Sequence, residues 1–375
     1  MSLKASGKLV ALSRPSLGPE EEQAVIRVLR SGRLVAGPEG EAFEDEFAGL
    51  TGSRYAIAVS SGTTALFLAL LALDIGSGDQ VVVPAYSFIA TANAAKTAGA
   101  EVVLADVELS SMNLDPASLA RAINSQTAVV MPVHQFGLPA NLEAIAQVAA
   151  QADLVEDAAC AAGAQIKSQP IGRPHGRLAC FSFHPRKVVT TGEGGMITTN
   201  DELLAERLRA LRQHGFSHER AELPGFNFRL SEIAAAQGRV QLERLPDLLS
   251  KRKSVARQYQ ECLAGLDWLG LPPDENDERH TFQSYVVRLK SGAPGTREQF
   301  MTHLKDTKIE CQAGVVPIHQ HPAYSRNAHM PLPVSEQLGR TALFLPMHAE
   351  LSQAEVERVC TAALQFGRKE IPAKC

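Results

Sequence analysis

The chain of 375 residues has no long apolar run. None approaches the ~18–20 residues that a membrane-spanning helix needs, so the sequence gives no ground for a membrane protein. The opening stretch, MSLKASGKLVALSRPSLG, has neither the apolar core nor the cleavage pattern of a secretory signal. A surplus of one charge is missing too: 37 Lys and Arg face 41 Asp and Glu, interspersed, for a net charge of −4. That balance offers no surface for nucleic acid or for an anionic membrane. The six cysteines stand apart at 160, 180, 262, 311, 360 and 375, with no CxxC pair. In a chain this long such scatter reads as thiols in a reducing compartment, without a disulfide framework or a zinc site, and the expected location is the cytoplasm. Repeats and low-complexity tracts are also absent. What remains is ordinary globular composition, 45% hydrophobic and 21% charged, with length enough for two or three domains.

From residue 55 onward apolar, strand-like runs at 55–60, 80–86, 101–106, 127–133 and 153–157 alternate with helical stretches at 63–75, 90–99, 115–123 and 140–151. Such alternation predicts an α/β domain with a mostly parallel sheet between helices. Functional residues in these sheets gather beyond the strands' carboxyl ends. Ahead of them, Pro-Ser-Leu-Gly-Pro-Glu-Glu-Glu opens a helix and residues 41–50 form a second. After Asn200 the pattern changes: 201–215 are helical, 216–229 a polar loop, and Ser231 caps a long helical region with a break expected near Pro246. A strand at 282–289 and helices at 296–307 and 355–366 complete the chain. The expected division is a large domain, 15–245, and a smaller α+β domain, 246–375.

Residues 178–200, LACFSFHPRKVVTTGEGGMITTN, read as a strand, an exposed glycine-rich loop and a return strand. Lys187 lies within that loop, next to Val188 and Val189. A lysine held against apolar neighbours can serve as a Schiff-base nucleophile; taken alone, a solvated loop lysine is the default reading. A second stretch, ADLVEDAACAAGA at 152–164, is an apolar strand ending in Glu156 and Asp157. Asp157 precedes Lys187 by 187 − 157 = 30 residues, one strand-to-strand step in an α/β chain. A lysine and a carboxylate at neighbouring strand ends are the pair that pyridoxal 5'-phosphate requires: one binds its aldehyde, the other keeps its ring nitrogen protonated. A third stretch, AVSSGTTAL at 58–66, runs from a strand straight into a helix whose free N–H groups suit a phosphate.

SSGTTAL, VVVPAYSFIATANA, VEDAACAAGA, FSFHPRKVVTTGEGG and GFNFRLSEI, in this order, resemble the DegT/StrS family of pyridoxal-phosphate nucleotide-sugar aminotransferases. SGRLVAGPEGEAFEDEFA and VVPIHQHPAY extend the resemblance over nearly the whole chain. It implies the type I fold of these enzymes, and an activity that converts a nucleotide-linked keto-sugar to an amino-sugar with glutamate as amino donor. It also implies that Lys187 and Asp157 are the catalytic residues. Gly62, Thr63, Thr64 and Ser182 would cradle the phosphate, and Phe88 would stack on the ring. Asn227 would reach the phosphate of a second subunit, making the protein a homodimer with shared sites. The apolar neighbours Phe226 and Phe228 are expected to be exposed and to dock against that subunit. His184, Arg229 and His319 are candidate substrate contacts. His319 and His321 lack carboxylate or cysteine partners at ligand spacing, so no metal is expected.

Two positions depart from the family: Cys160 stands where many relatives carry glutamine or histidine near the cofactor, and Val188 where asparagine is common. Cys160 is kept among the cofactor-binding candidates. A dehydratase or lyase of the same fold would favour another residue at 187, and a non-catalytic regulator would not need the Lys187–Asp157 pair. The choice of sugar and of amination at C3 or C4 is assigned to loops that include 267–281 and 319–333.

Overall fold

A computed structural model describes residues 8–217, 219–273, 280–327 and 330–368. Residues 274–279 and 328–329, inside the two loops expected to govern substrate choice, lie outside these. Seven strands form the central sheet: β1 (Tyr55–Val59), β2 (Gln80–Pro84), β3 (Glu101–Ala105), β4 (Thr127–Val130), β5 (Asp153–Asp157), β6 (Leu178–Ser182) and β7 (Gly195–Thr199). Their order is β1-β7-β6-β5-β4-β2-β3. Only β7 runs against the others, pairing antiparallel with both β1 and β6. The expected mostly parallel sheet is what forms.

Its helices are α1 (Pro19–Ser31), α2 (Pro38–Thr51), α3 (Gly62–Ala72), α4 (Ala90–Thr97), α5 (Pro116–Ala122), α6 (Leu142–Val148) and α7 (Glu202–Arg212). α3, GTTALFLALLA, is apolar nearly all round and is correspondingly buried, with Leu66, Leu68 and Leu70 inside the core. Each such leucine contributes roughly 1.5–3 kcal/mol by leaving water. On the other face Phe43, Phe47, Phe181 and Phe183 pack edge-on or tilted at 4.9–6.3 Å between ring centres. Helices on both faces leave the strands' carboxyl ends as the open rim.

A smaller antiparallel sheet, β8 (Leu269–Gly270), β9 (Tyr285–Leu289), β11 (Ala342–Leu345) and β10 (Gln312–Ala313) in that order, packs with α9 (Arg297–Asp306), α10 (Pro333–Thr341) and α11 (Gln353–Arg368). Residues near the N-terminus join this core rather than the large sheet: Val10 bridges to Ile309, and Leu12 O accepts from Met347 N. Among the described residues no helix is long and apolar enough to cross a membrane.

Three expectations fail. The long helix α8 runs unbroken over Glu232–Leu263, with Pro246 inside it. Its two halves pack on different partners, α1 and α2 on one side and α11 on the other, and that packing overrides the ~3 kcal/mol an interior proline costs. The cysteines are not all thiols: Cys262 in α8 is bonded to Cys360 in α11, with Cα atoms 6.1 Å apart across 98 residues of sequence. Only the tertiary contact of the two helices brings them together, and cysteine usage therefore gives no argument for a reducing compartment. Finally, Phe226 and Phe228 are half-buried, stacked on each other at 4.9 Å and set edge-on against Phe67. They are covered by their own chain and say nothing about a partner.

Candidate active site

Three strand ends build the site, those of β5 and β6 side by side and that of β1 across β7. β5 delivers Asp157, buried beneath the rim. One of its oxygens accepts from Thr91 Oγ1 at 2.8 Å, the other from Ala159 N at 3.1 Å. Burial raises the Asp157 pKa; the Thr91 hydroxyl, the Ala159 N–H and the Lys187 ammonium pull the other way. A carboxylate has about four acceptor positions, so Asp157 keeps capacity for a further, charged donor. That is the fit a protonated pyridine nitrogen would find.

β6, parallel to β5, leads through Ser182 into the loop that carries Lys187. The loop is held from several sides. Lys187 N donates to His184 O at 2.8 Å, Gln283 Nε2 to Arg186 O at 2.8 Å, and Gln237 Nε2 to Thr190 O at 3.0 Å. Arg186 also reaches Gln312 Oε1 at 3.0 Å. The loop is thereby fixed to α8, to the segment entering β9 and to the edge strand β10. Lys187 is half-buried, and its Nζ donates to Cys160 Sγ at 3.2 Å, with no ion pair to a carboxylate among the described residues. A primary amine without an ion-pair partner suits an aldehyde.

β1 supplies the third part. Ser61 caps α3, its Oγ accepting from Thr64 N at 3.1 Å. The first N–H groups of a helix have no intrahelical acceptor and favour an anion. Gly62 presses on β6: an added Cβ would lie 2.6 Å from Ser182 Cβ. This contact brings the start of α3, exposed Thr63 and Ser182 into one cradle of phosphate-binding character. Phe88, just beyond β2, is 70% exposed. Its carbonyl accepts from Thr91 N at 3.2 Å, and Thr91 in turn holds Asp157. The residues present therefore fit pyridoxal phosphate at its phosphate, ring and aldehyde.

Asn227 is exposed on a loop strapped to the end of α7 through His214 and Arg212, and Phe228 O accepts from Ser60 N at 2.9 Å beside the cradle. Arg229 is half-buried, with its Nε lacking a partner. His184 is exposed, its Nδ1 accepting from Arg186 N at 3.2 Å. His319 follows Ile318, whose N–H donates to Ala85 O at 2.8 Å; its Nε2 is 3.8 Å from Glu336, and burial lowers its pKa against the pull of Glu336 and Asp106. Among the described residues no three His, Cys, Asp or Glu side chains gather as a metal site.

Sequence reasoning placed Ser87 at this rim but missed Thr91, whose hydroxyl lies 3.0 Å from that of Ser87. Their spacing of one helical turn, on either side of Phe88, was the available signal. It placed His134 and Glu156 at strand ends too, but not their pairing behind Asp157. His134 Nδ1 accepts from Ala140 N at 3.0 Å, so Nε2 faces Glu156 at 3.1 Å, and His134 N donates to Asp157 O.

Comparison with known proteins adds the following. Residues 15–364 match the DegT/DnrJ/EryC1/StrS aminotransferase family. The chain is 38% identical over 365 residues to the GDP-perosamine synthase of Caulobacter vibrioides, covering 94% of this chain and 97% of that one. It is 36% identical over 370 residues to the spore coat polysaccharide biosynthesis protein SpsC of Bacillus subtilis, covering 93% and 95%. In structure it is similar to S. venezuelae DesV, solved in complex with a ketimine intermediate, with a TM-score of 0.89, 36% identity and coverage of 94% and 95%. The Helicobacter pylori aminotransferase PseC, involved in pseudoaminic acid biosynthesis, aligns with a TM-score of 0.90 at 26% identity, over 96% and 99%.

Proposed function

Because the chain belongs to the DegT/DnrJ/EryC1/StrS aminotransferase family, we propose that it uses pyridoxal 5'-phosphate to place an amino group on a nucleotide-linked keto-sugar, with glutamate as donor. The observation that carries this reading is the convergence of an amine without an ion pair, Lys187, and a buried carboxylate, Asp157, beyond two neighbouring parallel strands. The names of the Caulobacter and Bacillus relatives support the substrate class.

Bound here, the cofactor would supply an electron sink next to the amino nitrogen. Lys187 Nζ would hold its aldehyde and, as base and then acid, would move the proton between the two carbons. Asp157 holds the proton on the ring nitrogen, with Thr91 fixing the carboxylate. Gly62, Thr63, Thr64 and Ser182 hold the phosphate, Cys160 lines the site beside Lys187, and Phe88 covers the ring. Asn227 completes the phosphate site of a second copy, so the working unit is a homodimer. His184, Arg229 and His319 meet the substrate. The large domain, 15–245, carries all of these groups but His319, and the small one, 246–375, supplies His319 and buttresses the lysine loop through Gln283 and Gln312. A cytoplasmic setting belongs to the same reading, with the Cys262–Cys360 bond as the feature that argues against it.

A panel of nucleotide keto-sugars, assayed with glutamate for release of 2-oxoglutarate, tests the proposal. Turnover with one or more is expected. Cofactor binding without turnover on any of them would overturn the substrate class.

A further inference from the structure

The three described cysteines outside the disulfide, Cys160, Cys180 and Cys311, have different surroundings. Cys180 is buried within β6; burial, with the Asp157 and Glu156 carboxylates nearby, raises its thiol pKa well above the usual range. Cys311 is half-buried, and burial pushes its thiol up to about 11. Burial thus favours the protonated thiol in both, and the thiolate is the form that oxidants attack. Cys160 differs. It is half-buried on the segment leaving β5, its sulfur 3.2 Å from Lys187 Nζ, and its carbonyl is anchored by Thr281 Oγ1 at 3.3 Å. Sulfur and amine are already at contact distance, on two segments held from both sides.

We propose that Cys160 and Lys187 form an oxidisable pair: a peroxide converts the thiol to a sulfenic acid, and the Lys187 amine closes on that sulfur as a sulfenamide. In the first step one peroxide oxygen passes to sulfur and water leaves; sulfur loses two electrons and the peroxide gains them. In the second the amine lone pair forms the S–N bond, the S–O bond breaks, and hydroxyl departs with a nitrogen proton as water. Two equivalents of a small thiol restore both side chains and leave as a disulfide. The cross-link takes out of use the nitrogen on which the proposed reaction depends, and it shields Cys160 from irreversible oxidation. It requires only the chain, so the aminotransferase reading could fail without changing the outcome.

The test is a peptide map by mass spectrometry after hydrogen peroxide treatment of cofactor-free and cofactor-loaded protein. The peptides carrying Cys160 and Lys187 are expected to be joined with loss of two hydrogens, and to separate on addition of dithiothreitol. Loading with cofactor, which occupies Lys187, should lower the yield, and Cys160→Ser should abolish the species. In Lys187→Arg, where no sulfenamide can form, dimedone should capture a Cys160 sulfenic acid that the wild type does not accumulate. Equal dimedone capture in the two proteins, or passage of wild-type Cys160 to sulfinic acid with no joined peptides, would overturn the proposal.

Discussion

Thr91 Oγ1 donates to Asp157 Oδ2 at 2.8 Å, so the helix entered from β2 holds the carboxylate that ends β5. Ser87 Oγ lies 3.0 Å from the same hydroxyl and can donate to it, which leaves the Thr91 proton for Asp157. The order Ser87, Thr91, Asp157 is a relay of donors toward a buried charge. It counters the burial that raises the Asp157 pKa.

Thr91→Val should therefore let the Asp157 pKa rise further and weaken its hold on a protonated ring nitrogen. A hydrogen bond to a charged group is worth roughly 1.5–3 kcal/mol, or about ten- to a hundredfold in rate if fully expressed. The acidic limb of the rate–pH profile should move upward, and Thr91→Ser should restore it. Asp157→Asn should bind cofactor yet lose several orders of magnitude in rate. A Thr91→Val enzyme with wild-type rate and acidic limb would reduce the hydroxyl to a packing role.

Gly62→Ala tests the cradle. The new Cβ would meet Ser182 Cβ at 2.6 Å and Ser182 Cα at 3.2 Å, so strand β6 or the start of α3 must shift. Overpacking of this kind costs typically ~1–3 kcal/mol. Cofactor affinity should fall more than global stability, because the displaced groups are those that would meet the phosphate. Equal losses in cofactor titration and in thermal melting would mean the contact serves the fold alone.

Much of this arrangement was legible in the sequence, for local reasons. Alternating apolar runs gave the strands of the parallel sheet, and their ends gave Asp157 and the Lys187 loop. What stayed hidden depends on contacts between distant segments. Pro246 argues for a break by every local rule, yet α8 continues because each half has its own partner. Phe226 and Phe228 look exposed on a polar loop until Phe67 of α3 is beside them. Cys262 and Cys360 carry no spacing signal across 98 residues. Thr91 was within reach of the sequence but was passed over for Phe88.

The disulfide has a direct consequence. Closing so long a loop restricts the unfolded chain, and loss of such a bond costs about 2–4 kcal/mol. Cys262→Ser should lower the melting temperature by several kelvin, as should dithiothreitol on the wild type, without additive effect. Thiol titration of the unfolded, unreduced protein should miss two of the six cysteines. Six free thiols, with no change in melting on substitution, would show the pair unbonded in solution.

Glu21 gives a pH prediction. Burial raises its pKa, but bonds from Gln241, Gly18 N and Arg244 outweigh this and leave it below the ordinary 4.5. A lowered folded pKa contributes stability that is present above the unfolded value and lost as pH falls through the folded one. The melting-temperature gap between wild type and Glu21→Gln should be constant near neutrality and should shrink below pH 4.5. A gap that persists undiminished into acid would assign the effect to packing between α1 and α8.

The last prediction concerns the second copy. Asn227 is exposed, while the backbone beside it is tied to its own cradle through Ser60 N and Phe228 O at 2.9 Å. If its amide serves the partner's phosphate site, each site draws Lys187 from one subunit and Asn227 from the other. Lys187→Ala and Asn227→Ala proteins, each inactive or impaired alone, should then complement when mixed and re-dimerised. One site of the hybrid carries both defects, and the other carries neither. Random mixing makes about half the dimers hybrids with one intact site each, so recovery should approach about a quarter of wild-type activity. Hybrids isolated through two different affinity tags remove the doubt over exchange. Isolated hybrids with no recovered activity would place Asn227 in its own subunit's structure and leave each site self-contained.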